Sequence, residues 1–225
     1  MRLLRVLAPA AVCLSLLAAC GDDSDTDASQ DDSTSEVART GDCEWVPADG
    51  PAGKEVDPPA EDAEPAEAVV LETSAGDVPI ELNPDAVCAA TSFTWLAEQG
   101  YYDDTTCHRM IVASDEVPYG ILQCGDPTGS GTTGPGYTFA DELTGDESYD
   151  EGTLAMANSG PDTNGSQFFL NYADSEFDPD YTLFGTIAPE GVKVLEDVAA
   201  EGTDSGGPEG APAEELVIES ARVDS

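Results

Sequence analysis

The chain is poor in basic side chains and in histidine. It contains 7 Lys and Arg against 47 Asp and Glu, for a formal net charge of −40. A nucleic acid partner needs clustered Lys and Arg to neutralise its phosphates, so this composition argues against nucleic acid binding. The single histidine, His108, excludes zinc sites with two or more histidine ligands and makes any Ser-His-Asp site depend on that residue. We therefore expect no metal and a chemistry that needs little proton transfer.

Long apolar runs are scarce as well. The run Val6–Ala19 follows two arginines and is shorter than the roughly 20 residues of a membrane-spanning helix, but it suits a signal peptide. The residues LAAC at 17–20 resemble a bacterial lipobox, in which the cysteine is lipidated and becomes the mature N-terminus. We expect a signal peptide over residues 1–19 and a lipid on Cys20, which would anchor an extracytoplasmic protein to the outer face of the bacterial cytoplasmic membrane. An ordinary signal peptide with a chance cysteine is the alternative.

Residues 20–66 are predicted to form a disordered tether behind the lipid. Seven acidic residues and no Lys or Arg lie between Asp22 and Glu36, and residues 47–66 contain five prolines. Such segments bury too little apolar surface to offset their conformational entropy. The folded domain is therefore expected to span residues 67–225.

Four cysteines remain for the folded protein after processing at Cys20: Cys43, Cys88, Cys107 and Cys124. An even number outside the cytoplasm favours two disulfides, and four cysteines allow three connectivities. Cys107 and Cys124 bracket two neighbouring predicted strands, which makes their pairing geometrically plausible. A Cys43–Cys88 bond would then staple the N-terminal extension to the domain. Free buried thiols are the alternative.

The pattern of residues 68–222 predicts many short strands and two helices. Residues 68–82 form two strands around a turn, and residues 86–99 have apolar side chains at helical spacing, with Gly100 as the stop. A second helix is predicted at Gly191–Ala200. Further strands are predicted at His108–Val112, Ile121–Gln123, Thr153–Met156, Gln167–Asn171, Leu183–Ile187 and Leu216–Arg222. This pattern favours an all-β fold with two capping helices, in which the sheet closes into a barrel.

Several motifs in this region closely resemble the cyclophilin family of peptidyl-prolyl isomerases. They are TLAMANSGPDTNGSQFFL at 153–170, CHR at 107–109, LQCGDPTGSGTTGPGYTFADE at 122–142 and YTLFG at 181–185. The resemblance covers roughly residues 67–222 and is greatest to secreted actinobacterial members. It implies a closed eight-stranded antiparallel barrel capped by two helices. It also implies a monomeric isomerase that acts on Xaa-Pro bonds of extracytoplasmic proteins without a cofactor.

The chemistry of the family agrees with the single histidine. An Xaa-Pro bond rotates slowly because amide resonance raises a barrier of about 20 kcal/mol. Lowering that barrier needs a pocket for the proline ring, a donor to the nitrogen lone pair and anchors for the carbonyl, but no obligatory proton transfer.

The resemblance assigns roles to individual residues. Arg109 is the catalytic guanidinium, Gln123 orients it or the substrate carbonyl, and Asn158 contacts the substrate backbone. His108 is a strand residue without acid–base work. Seven residues are implied to bind the proline-containing polypeptide: Ile121, Met156, Ala157, Gln167, Phe169, Phe177 and Tyr181.

Three positions depart from the family pattern. Gly120 stands where a pocket phenylalanine is expected, and Tyr119, one place earlier, is expected to point to the other face of the strand. The usual tryptophan is absent, with Phe177 as the nearest candidate, and Tyr181 replaces a common histidine. Gly120 favours an alternative function, a lipid-anchored proline-peptide-binding module with little or no isomerase activity.

Two other classes of site are weakly indicated. The glycine-rich stretch 125–136 lacks the G-K-[ST] ending of a phosphate-binding loop and contains no lysine. A serine hydrolase reading fails because the chain has no G-x-S-x-G motif.

Overall fold

The computed structural model describes residues 38–224, which contain thirteen strands and two helices. The first half comprises β1 (Ala38–Thr40), β2 (Cys43–Pro47), β3 (Ala68–Thr73), β4 (Gly76–Leu82), α1 (Val87–Glu98), β5 (Thr105–Thr106), β6 (Arg109–Ile111) and β7 (Gly120–Cys124). The second half comprises β8 (Tyr137–Thr138), β9 (Thr153–Met156), β10 (Phe168–Ala173), β11 (Leu183–Ile187), α2 (Pro189–Ala200), β12 (Glu209–Gly210) and β13 (Val217–Asp224).

Ten of the strands form one curled antiparallel sheet in the order β12-β6-β7-β10-β9-β11-β4-β3-β13-β5. Only residues 107 and 108 separate β5, at one edge, from β6, next to the other edge, so the sheet must curl back on itself. The prediction of mostly β structure with two helices is confirmed. The predicted closed barrel of eight strands is not confirmed, because the two-residue strands β5 and β12 bring the sheet to ten strands and leave it two edges.

The main core lies between the inner face of the sheet and the two helices. Helix α1 buries eight of its residues, among them Phe93 and Leu96. No side chain of its own caps its start, but the carboxylate of Glu142 accepts hydrogen bonds from the N–H groups of Cys88 and Ala89, both at 2.9 Å. A carboxylate at this position satisfies free N–H donors of the helix and interacts favourably with the positive end of the helix dipole.

Residues 38–66, which we call the N-terminal arm, belong to the predicted disordered tether but contain two strands. Strand β2 pairs with both β1 and β8, and the indole of Trp45 is buried edge-on against Tyr137 and Phe139. The amino-acid composition of the segment predicted disorder because proline and acidic residues dominate it. Two buried residues, Cys43 and Trp45, nevertheless supply the apolar surface that holds it to the domain. The signal peptide, Cys20 and residues 20–37 of the tether lie outside the described residues.

Both predicted disulfides are present, Cys43–Cys88 and Cys107–Cys124. The first ties the arm to α1. The second joins β7 to the two-residue connection between β5 and β6, where the sheet curls round. Along residues 38–224, no helix is long and apolar enough to cross a membrane.

Candidate functional site

The predicted catalytic residues lie on the outer face of the curled sheet. Arg109 on β6 is the direct cross-strand partner of Gln123 on β7, which is in turn opposite Phe169 on β10. Successive side chains on a strand alternate between faces, so the neighbours Met110, Leu122 and Phe168 enter the main core while these three face outward. The ladder register therefore brings Arg109, Gln123 and Phe169 together.

Two acceptors hold the guanidinium of Arg109. Its Nε donates to Oε1 of Glu209 on β12 at 2.8 Å, and its Nη1 donates to Oε1 of Gln123 at 3.0 Å. A guanidinium carries five N–H donors, so three have no partner within residues 38–224 and remain for a ligand. Sequence reasoning missed Glu209, because it lies 100 residues away and no motif marks it.

The amide of Gln123 is held from its other end as well. Its Nε2 donates to Oε1 of Gln167 at 2.9 Å, and Nε2 of Gln167 donates to the carbonyl of Thr133 at 2.9 Å. This chain of hydrogen bonds orients the Oε1 of Gln123 toward Arg109. Gln123, predicted to orient Arg109 or the substrate carbonyl, thus contacts Arg109, and Gln167 lies beside Gln123.

The loop that presents Thr133 is organised by a buried carboxylate, Asp126. Burial would raise the pKa of Asp126, but the hydrogen bonds from Thr133 and Thr128 outweigh it and hold the pKa well below its usual range. Donors to its two oxygens come from Thr128, Ser130, Thr132 and Thr133. The loop conformation at residues 126–133 is therefore fixed independently of any ligand. The sequence analysis did not single out Asp126.

A second hydrophobic cluster, which we call the aromatic cluster, lies beside Arg109 on this outer face. Its buried members are Ile111, Ile121, Tyr149, Ala155 and Phe169, and its partly buried members are Val117, Tyr119, Ala157, Phe177, Tyr181 and Leu183. The ring of Phe169 meets those of Tyr181 and Phe177 edge-on at centroid distances of 5.3 and 5.6 Å. The cluster thus brings together five predicted substrate-binding residues: Ile121, Ala157, Phe169, Phe177 and Tyr181.

Met156 is the predicted pocket residue that the structure places elsewhere. Its side chain is buried in the main core, because Met156 and Ala155 are successive residues of β9 and point to opposite faces. Ala155 takes the place on the aromatic cluster. The prediction of Met156 as a pocket residue is therefore wrong.

The prediction that Tyr119 points to the other face of the strand is also wrong. The structure stacks its ring on Phe177, with centroids 4.7 Å apart and planes at 29°. Strand β7 begins only at Gly120, so the alternation argument does not apply to Tyr119. A Cβ at Gly120 would come 2.6 Å from the Cβ of Ala173, at a bulge in β10. Gly120 therefore makes room for this close packing, and the neighbouring tyrosine supplies the ring.

Tyr149 was also missed by the sequence analysis. Its hydroxyl donates to the carbonyl of Tyr181 at 2.9 Å and accepts from the N–H of Tyr181 at 2.8 Å. The two residues are 32 apart in the chain, and no local pattern connects them. Tyr149 fixes the backbone that carries one wall of the aromatic cluster.

A cleft of about 480 Å³ adjoins the aromatic cluster at Ala157. Gln123, Gln167 and Asn158 line it, together with residues of the Asp126 loop. Asn158 donates from Nδ2 to the carbonyl of Asp180 at 2.9 Å and accepts from the N–H of Gly160 at 3.2 Å. Residues 47–51 of the N-terminal arm also line the cleft.

His108 takes no part in these hydrogen bonds. Both ring nitrogens lack a hydrogen-bond partner among the described residues, and the ring packs under the loop at Gly131. Burial, with the neighbouring Arg109 charge, lowers the pKa of His108, while the Asp126 carboxylate opposes this shift. Across residues 38–224, no group of three or more His, Cys, Asp or Glu side chains could hold a metal ion.

Comparisons with known proteins agree with this geometry. Residues 68–223 match the model of the family described as cyclophilin type peptidyl-prolyl cis-trans isomerase. The chain is 42% identical over 199 residues to probable peptidyl-prolyl cis-trans isomerase B of Mycobacterium leprae, and 40% identical to the protein of that name from Mycobacterium tuberculosis H37Rv. These alignments cover 81% of this chain, but only 66% and 64% of the relatives' own length.

Solved structures show the same likeness. A Cryptosporidium parvum cyclophilin type peptidyl-prolyl cis-trans isomerase superimposes with a TM-score of 0.59 at 32% sequence identity, over 71% of this chain and 98% of that one. A second structure of that protein, determined in the presence of the dipeptide Ala-Pro, superimposes equally well.

Proposed function

This chain belongs to the cyclophilin-type peptidyl-prolyl cis-trans isomerase family, and we propose that it isomerises Xaa-Pro bonds of extracytoplasmic polypeptides as a monomer without a cofactor. The observation that carries this proposal is the position of the Arg109 guanidinium beside the aromatic cluster, with three N–H donors that no described residue engages.

The proposed mechanism follows from the physics of the amide bond. The aromatic cluster, floored by Phe169 at 3% exposure, would hold the proline ring. A free N–H of Arg109 would donate to the prolyl nitrogen and draw its lone pair out of conjugation, which weakens the double-bond character of the C–N bond. Because Glu209 and Gln123 hold the guanidinium beforehand, little reorganisation is needed at the moment of rotation.

The binding-module alternative has lost the feature that favoured it. It rested on an incomplete pocket at Gly120, and the ring of Tyr119 stands in the aromatic cluster instead. We therefore propose the isomerase over the module.

The extracytoplasmic part of the proposal rests on the lipobox-like LAAC and on two disulfides, which persist in oxidising compartments. In a bacterial host, the full chain should incorporate labelled fatty acid and sediment with the membranes. Cys20→Ser should do neither. Equal labelling of the two proteins would reject the anchor.

A protease-coupled assay on Xaa-Pro peptides tests the activity. Arg109→Ala should lower kcat/KM about 100-fold, the size of effect seen when one preorganised donor to a transition state is removed. Arg109→Lys should recover little, since an ammonium lacks the planar fork that Glu209 and Gln123 hold. Arg222→Ala, at an exposed arginine on β13, is the control. Turnover at the uncatalysed rate, or turnover indifferent to Arg109, would reject the isomerase.

A further inference from the structure

The N-terminal arm lies outside the matched family region, which begins at residue 68, yet it forms part of the cleft. Residues 47–51 line the same cleft as Gln123, Asn158 and Gln167. The segment that composition assigns to a tether therefore contributes a wall to the candidate active site.

Backbone contacts hold this wall in place. The N–H of Ala48 donates to the carbonyl of Gly136 at 3.0 Å, and the N–H of Gly53 donates to that of Gly134 at 2.9 Å. A Cβ at Gly53 would lie 2.4 Å from Oγ1 of Thr133, so the arm packs directly on the Asp126 loop. Together with the Cys43–Cys88 disulfide, these contacts make the wall a fixed surface.

Apart from one charged residue, the cleft is lined by glycine, alanine, proline, hydroxylated and amide side chains. Among its lining residues Asp49, at the middle of the arm's wall, is the single charged side chain. Asp49 is exposed. Arg109 is not among the lining residues, and its charge is paired with Glu209. A cationic side chain in the cleft would therefore meet an uncompensated carboxylate, and an anionic one would be repelled.

We propose that residues 47–51 form a substrate subsite for the polypeptide that flanks the prolyl bond, and that Asp49 makes this subsite select a lysine or arginine side chain. This inference rests on the proposed isomerase function and specifies its substrate class. Exposed ion pairs are weak, so we expect a preference of about 1.4- to 5-fold in kcat/KM for a cationic over an anionic residue.

The test uses Xaa-Pro peptides in which a single Lys, Gln or Glu is placed in turn at each of several positions before and after the proline. Wild type should prefer Lys over Glu at one position, and the preference should shrink as ionic strength rises. Asp49→Asn should abolish it, so that the variant turns over the Lys and Glu peptides with equal kcat/KM. Asp57→Asn, on an exposed carboxylate of the same arm that does not line the cleft, should leave it intact.

The result that overturns the subsite is an equal preference in wild type and Asp49→Asn, or none in either. The arm as a wall is tested with the Cys43→Ser/Cys88→Ser protein, whose KM should rise for the Lys peptide more than for a minimal Xaa-Pro peptide. An equal change in both would reject the wall. If no peptide is turned over, the isomerase proposal fails, and amide NMR shifts at Ala48–Gly50 on titration with the Lys and Glu peptides decide the subsite separately. Shifts with the Lys peptide alone support it, and no shifts overturn it.

Discussion

Nη1 of Arg109 lies 3.0 Å from Oε1 of Gln123, directly across the β6–β7 ladder. The amide of Gln123 donates a hydrogen bond to Gln167. This bond fixes the orientation of the amide, and the amide in turn fixes the orientation of the guanidinium. Gln123 is thereby a positioning residue for Arg109 as well as a lining residue of the cleft.

Gln123→Ala should lower kcat/KM about 10-fold or more, because a hydrogen bond to a charged group is worth about 1.5–3 kcal/mol. Of its two partners within residues 38–224, Arg109 would then keep Glu209. The loss should fall mainly on kcat, and the thermal midpoint should change little at this half-buried position. Gln123→Glu, which keeps an acceptor for Arg109 but loses the donor to Gln167, should be intermediate. Wild-type kcat in Gln123→Ala would contradict the role.

Tyr119→Ala should raise KM for Xaa-Pro peptides. Its ring stacks on Phe177 and belongs to the aromatic cluster, so its removal opens the surface on which the proline ring would pack. Loss of one aromatic contact to the ligand, about 0.5–1.5 kcal/mol, corresponds to about a 2- to 10-fold rise in KM. Tyr119→Phe is the matched control, and it should retain the wild-type KM because the ring remains. If Tyr119→Ala binds peptide like wild type, the ring is not part of the pocket.

Gly120→Ala should destabilise the fold. The added Cβ would meet the Cβ of Ala173 at 2.6 Å, and overpacking of this kind costs about 1–3 kcal/mol. Urea unfolding of Gly120→Ala and of the double variant Gly120→Ala/Ala173→Gly measures the free energy of unfolding. The double variant should recover part of the loss. An unchanged free energy of unfolding in the single variant would show that the backbone at the β10 bulge shifts to accommodate the added methyl group.

These cases show how far the sequence could predict the site. Arg109, Gln123 and Phe169 could be named because each stands inside a motif that resembles the family, and the register of the sheet then brings them together. Glu209 and Tyr149 were missed because their contacts join segments far apart in the chain, which no local period encodes. Only the folded, curled sheet brings these residues into contact.

The same comparison explains the error in the arm. Disorder was predicted there from its prolines and acids, yet the run Cys43–Pro47 alternates buried and exposed side chains at its start, with Cys43 and Trp45 inward. That period of two is a strand signal, and a disulfide pairing with Cys88 already required the arm to lie against the domain. Composition averaged over 47 residues concealed a five-residue pattern.

Removal of the Cys107–Cys124 disulfide should lower the free energy of unfolding by about 3 kcal/mol, as loop-closure entropy predicts for its separation of 17 residues. Cys107→Ser/Cys124→Ser isolates this bond, and urea unfolding measures the change. Cys107 lies two residues before Arg109 in the chain. The kcat/KM of the folded variant, compared with that of wild type, therefore reports whether the disulfide also helps to align the guanidinium. Identical urea midpoints for the two proteins would show that the sheet holds its curl without the bond.

His108 should make stability depend on pH. Burial lowers its pKa below the ordinary 6.5, so the unfolded chain binds the proton more readily than the folded protein. Stability is then greatest above pH 6.5 and falls as the pH drops from 6.5 to the folded-state pKa, below which this contribution stays constant. The free energy of unfolding, measured by urea titration at a series of pH values, should slope downward toward acid in that window.

His108→Gln removes the titrating group and should flatten the slope between pH 6.5 and the onset of carboxylate titration. The comparison uses the slope and not the absolute stability, so a packing loss in the variant does not affect it. The Asp126 carboxylate, which faces His108, titrates far below this window because its hydrogen bonds depress its pKa. The chain has no other histidine, so a slope that persists in His108→Gln would assign the pH dependence to a group other than this imidazole.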